Sequence, residues 1–143
     1  MIRTLSKAAV GVAVVMGIAA LAPAHAAIQA DARPRPPVGV SCPRGVHYLT
    51  AYIGVVTRYA GGPDRTTLTI RTDWDTTEDV TLDHKGSSDP AKWFLYRGDA
   101  FQAAHWEKIK NAMGELRRNI RATAWVCSDG SNPIIDWDTP GEP

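Results

Sequence analysis

Between Asp99 and Cys127 the hydrophobic period of the chain changes once, and that change constrains the fold more than any other feature. At 100° per residue, Phe101, Ala112, His105, Leu116, Ile109, Met113 and Trp106 fall within one apolar arc. Lys110, Glu107, Asn111 and Glu115 lie opposite. Asp99 and Gln102 have capping-box spacing, which would satisfy backbone donors at a helix start. The pattern predicts an amphipathic helix from Asp99 to Leu116. Beyond it the period becomes two: Ile120, Ala122, Ala124 and Val126 share one face, and Arg121, Thr123, Trp125 and Cys127 the other. The helix is thus expected to run directly into a half-buried strand.

The chain before this stretch reads as strands. Val46–Tyr59 is long and dense in β-branched and aromatic residues, with Gly54 inside it. An interior glycine marks a bulge or sharp coil where one strand can serve two sheets. After a Gly61–Arg65 turn, Leu68, Ile70, Thr72 and Trp74 alternate on one face of a second strand. Val80 and Leu82 alternate in a third, Glu78–Asp83. The segment Lys92–Arg97 approaches the helix, and Ile134–Asp138 makes a last strand after the turn Ser128–Pro133. Three strands, one helix and two strands is the order of a small five-stranded OB-like barrel with its helix between strands three and four. The expected class is therefore α+β, mostly β, with an α+β roll as the alternative.

The first 26 residues have the form of a secretory signal. Arg3 and Lys7 make a basic start, Ala8–Ala22 an apolar run too short for a membrane span, and Ala24-His25-Ala26 a small-x-small cleavage site. Residues 27–41 carry Pro34, Pro36 and Pro37 with little periodicity and read as an extended or disordered leader. A single domain is expected over residues 42–140. In an exported chain two cysteines, Cys42 and Cys127, read as one structural disulfide; no C-x-x-C points to redox work. The expected location is periplasmic or secreted, in a bacterium. A formal charge of +1 without a basic cluster argues against nucleic acid and anionic membrane surfaces as partners.

Motifs for chemistry are sparse. His47, His84 and His105 have no metal-ligand spacing, and Asp73–Asp79 lacks the central glycine of a calcium loop. Neither a nucleophile elbow nor a phosphate-cradling glycine loop occurs. No catalytic residue, metal or cofactor is assigned. A small secreted hydrolase would require a histidine to converge with Asp73 or Asp75. Five tryptophans are many for so short a chain, and two stand in the same tetrapeptide, Asp73-Trp74-Asp75-Thr76 and Asp136-Trp137-Asp138-Thr139. Aromatic rings stack on the C–H faces of sugars while carboxylates accept hydroxyl hydrogen bonds. Asp73, Trp74, Asp75, Asp129 and Trp137 are therefore the candidate ligand contacts, with core packing the competing role for the tryptophans.

Together these features resemble the B subunits of bacterial AB toxins of the cholera and heat-labile enterotoxin type. The likeness covers residues 42–139. It rests on the signal peptide, a cysteine near the mature start, a charged helix before a strand ending in cysteine, and a polar turn into a closing strand. The resemblance implies an OB-fold pentamer that binds host glycans, with its helices lining a pore. Two residues past the second cysteine that family has a galactose-stacking tryptophan; here the position is Asp129, so that sugar site does not transfer. The expected function is an exported, non-catalytic binding module, in its fullest form an oligomeric glycan-recognising subunit. The alternative is a monomeric periplasmic OB-fold protein of envelope maintenance or stress, binding a small ligand or a protein chain.

Overall fold

The computed structural model describes residues 34–87 and 89–139; the expected signal peptide, residues 27–33 of the leader and the tail from residue 140 lie outside them. Alternating burial produces seven strands: β1 (Leu49–Gly61), β2 (Arg65–Thr72), β3 (Thr77–Asp83), β4 (Phe94–Tyr96), β5 (Asp99–Ala100), β6 (Arg121–Cys127) and β7 (Ile134–Asp138). They form one sheet in the order β3-β2-β1-β6-β7-β4-β5. Its ladders are antiparallel except β4 with β7, which is parallel.

The sheet is arranged around β1. Leu49–Val55 pair with β6, and Gly54–Gly61 pair with β2, so the strand passes from one neighbour to the other at Gly54. There Gly54 faces both Thr72 and Ala122. A Cβ on Gly54 would lie 2.0 Å from the Arg71 carbonyl oxygen and 2.7 Å from Thr72 Cα. The glycine is required by this close backbone approach. The irregularity in pairing lies slightly later, between Val56 and Arg58, where a bulge re-aims the strand.

Inward-facing residues meet in one core. Leu68 and Ile70 of β2, Val80 and Leu82 of β3, Phe94 of β4, Ala122 and Ala124 of β6, and Ile135 and Trp137 of β7 are all buried in a contiguous cluster. Trp137 is enclosed by Tyr59, Phe94 and Trp106 at centroid distances of 5.7–6.1 Å. Two polar residues enter this interior as a satisfied pair: the Thr66 hydroxyl and His84 Nε2 are 3.0 Å apart, and His84 Nδ1 lies 2.8 Å from the Ser87 carbonyl.

Two expectations are corrected. The five-stranded barrel is not what forms: the sheet has seven strands and is not closed, ending at β3 on one side and β5 on the other. The long helix is also absent. Asp99 belongs to β5, the capping box is made by Gln102 and His105, and the α-helix α1 covers only Trp106–Ile109. Asn111 ends it, because its Oδ1 accepts from the Met113 and Glu115 N–H groups at 3.0 Å and holds a turn. Gly114 follows at φ +79°, and the Arg117 guanidinium donates to the Glu107 and Lys110 carbonyls. Met113, expected on the buried arc, is 79% exposed.

The end of the leader is packed. Pro37 lies within 3.8 Å of the position a Cβ would occupy on Gly98, Val40 is buried, and Cys42 is bonded to Cys127. Residues 37–42 therefore form a strap over the outward face of the sheet.

Replacing Gly54 with valine is expected to cost at least about 3 kcal/mol, since the β2 backbone at Arg71 and Thr72 must move. That lowers the thermal midpoint by about 12 °C or more, readable by circular dichroism. A shift under about 2 °C would contradict the close approach. The disulfide closes a separation of 85 residues. Chain-entropy reasoning gives it roughly 4–5 kcal/mol, so Cys127→Ser is expected to lose a few kcal/mol in denaturant titration. An unchanged wild-type midpoint under reductant would contradict this.

Candidate functional site

Period-two alternation sends Arg121 and Thr123 of β6, and Asp136 and Asp138 of β7, to the outward face. Register then pairs them: Arg121 lies opposite Asp138, and Thr123 opposite Asp136. Next to them the chain turns tightly between β4 and β5, with Arg97 at φ 53° and Gly98 at φ 84°. Two successive positive φ values suit a two-residue hairpin. Glycine adopts this conformation freely, whereas arginine does so only when other contacts hold it. Here Arg97 Nε donates to Asp138 at 2.9 Å, and its Nη2 donates to the Thr139 carbonyl and hydroxyl.

Arg97, Thr123, Asp136, Asp138 and Thr139 line an open polar cavity of about 460 Å³. Asp136 accepts the Gly98 N–H at 2.9 Å. Its carboxyl is held above the ordinary range, first by burial and then by the charges of Asp138 and Asp99, against the hydrogen bonds it accepts. The cavity presents a guanidinium, carboxylates and hydroxyls within one concave surface.

The first copy of the Asp-Trp-Asp-Thr tetrapeptide forms the turn between β2 and β3. Thr72 organises it: its hydroxyl accepts from the Trp74 and Thr76 N–H groups, and Asp75 takes φ 59°. Trp74 is left 56% exposed. Asp73 anchors the turn to the sheet through its N–H to the Ile53 carbonyl, and its carboxylate accepts from Arg121 Nη2 at 2.5 Å. Arg121 is thus bonded to Asp73 and lies opposite Asp138. Its side chain reaches the tryptophan turn, while its backbone pairs with Asp138, which lines the cavity.

The candidate residues therefore divide. Asp73, Trp74 and Asp75 lie together on the β2–β3 turn. Trp137 does not join them: it is fully buried, packed among Tyr59 and Phe94 of the core. Asp129 lies past Cys127, beyond the other end of β6 from Arg121. Its carboxylate accepts from the Ser131 N–H and hydroxyl, bonds that hold its pKa below the ordinary carboxylate range. It shapes the β6–β7 turn. The histidines stay apart: His47 is exposed, His84 is tied to Thr66 and Ser87, and His105 stacks on Tyr96 at 4.3 Å. None of them hydrogen-bonds to Asp73 or Asp75 among the described residues.

Arg97, Arg121, Thr123, Asp136 and Asp138 were not among the contacts expected from sequence. The repeated tetrapeptide was the available signal for the two aspartates, since a buried Trp137 on a strand sends both flanking carboxylates outward. Nothing local marks the arginines. No protein-family model, curated protein or solved structure matches the chain.

The raised Asp136 pKa has a signed consequence. At pH values above both its folded and unfolded pKa, the folded state bears the full cost of the half-buried charge. Below both, the cost vanishes. Asp136→Asn keeps an acceptor for Gly98 and removes the charge. The variant is expected to melt above wild type at neutral pH, with the gain disappearing as the pH falls through the carboxylate range. Melting curves at both ends of this range check it; a gain that grows on acidification would contradict it.

Proposed function

We propose that this chain is an exported, non-catalytic binding module, built on an open, mostly-β fold, whose ligand is hydroxyl-rich, of the glycan class. The observation that carries the reading is Arg121, which couples the exposed Trp74 turn to the polar cavity of Asp136 and Asp138. An aromatic face beside carboxylates, hydroxyls and a guanidinium matches a sugar ring, which has apolar C–H faces and a hydroxyl rim. Trp74 sits on the turn between β2 and β3, where its ring is presented to solvent. The Cys42–Cys127 disulfide agrees with an oxidising compartment and hence with export.

A second reading, the monomeric periplasmic protein of envelope maintenance, is favoured by one observation. Helix α1 has four residues, too few to line the pore of a toxin-like pentamer. Light scattering on a sizing column separates the two: a stable pentamer supports the toxin-like subunit, and a monomer supports the solitary protein.

A glycan array probed with oxidised protein tests the ligand class. Trp74→Ala is expected to weaken any binding tenfold or more while leaving the melting temperature within about 2 °C, because the ring is largely in solvent. Asp129→Ala, at the far turn, is expected to leave binding unchanged. Loss of binding in Asp129→Ala but not in Trp74→Ala would move the site to the β6–β7 turn.

A further inference from the structure

Charge in the polar cavity does not balance. Arg97 is the cation that lines it, and its guanidinium is taken by Asp138 at 2.9 Å. Arg121, on the neighbouring strand, is taken by Asp73 at 2.5 Å. Asp136 is left as a carboxylate in the cavity wall with no cationic partner among the described residues.

The fold holds that carboxylate toward the opening. Ile135 and Trp137 are fully buried, so strand alternation turns Asp136 outward with Thr123 and Asp138, which line the same cavity. Its Oδ1 takes the Gly98 N–H at 2.9 Å. The Arg97 N–H lies near enough to favour the charged carboxyl, but it donates to the Trp137 carbonyl. Oδ2 has no hydrogen-bond partner among the described residues. Nor is it sealed from solvent: the unpaired side-chain atoms that are sealed there are the Trp125 and Trp137 indole nitrogens. Oδ2 is therefore accessible. Half-burial and the charges of Asp138 and Asp99 push the Asp136 carboxyl above the ordinary range, as befits a charge without a compensating cation. A carboxylate that costs the fold stability and meets no cation inside the protein is suited to one that a ligand brings.

We infer that the glycan taken by this cavity is an amino sugar whose amine is free and protonated, with the ammonium donating to Asp136 Oδ2. This rests on the glycan-class reading and narrows it to a cationic member. An ammonium has three donors and no acceptor. Beside Asp136, the Thr123 hydroxyl opposite it in register and the Asp138 carboxylate offer acceptors for the other two. An N-acetylated sugar presents a neutral amide instead and leaves Asp136 uncompensated. An acidic sugar is repelled by the same carboxylates, because Arg97 is already held by Asp138.

The test titrates the intact, oxidised protein, slightly below neutral pH, with a β-1,4-linked glucosamine tetramer and with the same tetramer fully N-acetylated. The free-amine tetramer is expected to bind about tenfold to a hundredfold more tightly, the range for a hydrogen bond to a charged group. In Asp136→Asn, which keeps the acceptor for Gly98 and removes the charge, the two tetramers should bind alike. Equal wild-type affinities would overturn the inference and leave the glycan-class reading standing. A preference that persists in Asp136→Asn would also overturn it, showing attraction to the protein's acidic surface at large. Binding of neither tetramer would overturn it too, and the Trp74→Ala comparison on the glycan array then judges the broader reading separately.

Discussion

The contact of the Arg71 and Thr72 backbone with Gly54 is the constraint on which the rest of the structure depends. It lets a single strand, β1, give its first half to β6 and its second half to β2. A side chain at that position would push the β2 backbone at Arg71 and Thr72 away from β1. Because both ladders reach β1, the inward rows of β2, β3, β6 and β7 converge on one core, and Trp137 becomes its centre rather than a surface ring. The bulge after Val56 then turns the strand enough to bring Tyr59 against Trp106 and Trp137. The tip of the β2–β3 hairpin is docked by the same arrangement, through the hydrogen bond from Asp73 to Ile53.

The outward face of β6 and β7 changes character along three successive rungs. Arg121 with Asp138 is charged, Thr123 with Asp136 is polar, and Trp125 with Ile134 is apolar. The strap and its disulfide cover the apolar end, while the polar end stays open as a cavity. The ion pairs Arg121–Asp73 and Arg97–Asp138 are substantially exposed, and such pairs contribute about 0–1 kcal/mol each. Their effect is positional. They hold the tryptophan turn and the strained Arg97 against the same edge, which is what a preformed binding surface requires.

Much of this was legible in the sequence, and the parts that were share one property. The two faces of Ile120–Cys127, the alternation in β2 and β3, the closing strand Ile134–Asp138 and the disulfide all follow from which way neighbouring residues point or from cysteine count. The helix was misread because its apolar arc is real in sequence but is not realised as a helix. Asn111 captures two backbone donors and Gly114 adopts a positive φ, and these local bonds end the helix after one turn. Within the candidate site, Asp73, Trp74 and Asp75 were identified from a repeated tetrapeptide. Its second copy was equally visible, but its tryptophan turned inward and its aspartates turned out to be the accessible groups.

The sequence by itself determined the strand faces, the turns and the cross-link, because each depends on residues a few positions apart or on the only two thiols present. The tertiary structure alone decided which tryptophan is exposed and which arginine meets which aspartate. Asp73 and Arg121 are 48 residues apart, and Arg97 and Asp138 are 41 apart. Residues so distant become neighbours only through strand register, and register is set by how the whole core packs rather than by either residue's own surroundings.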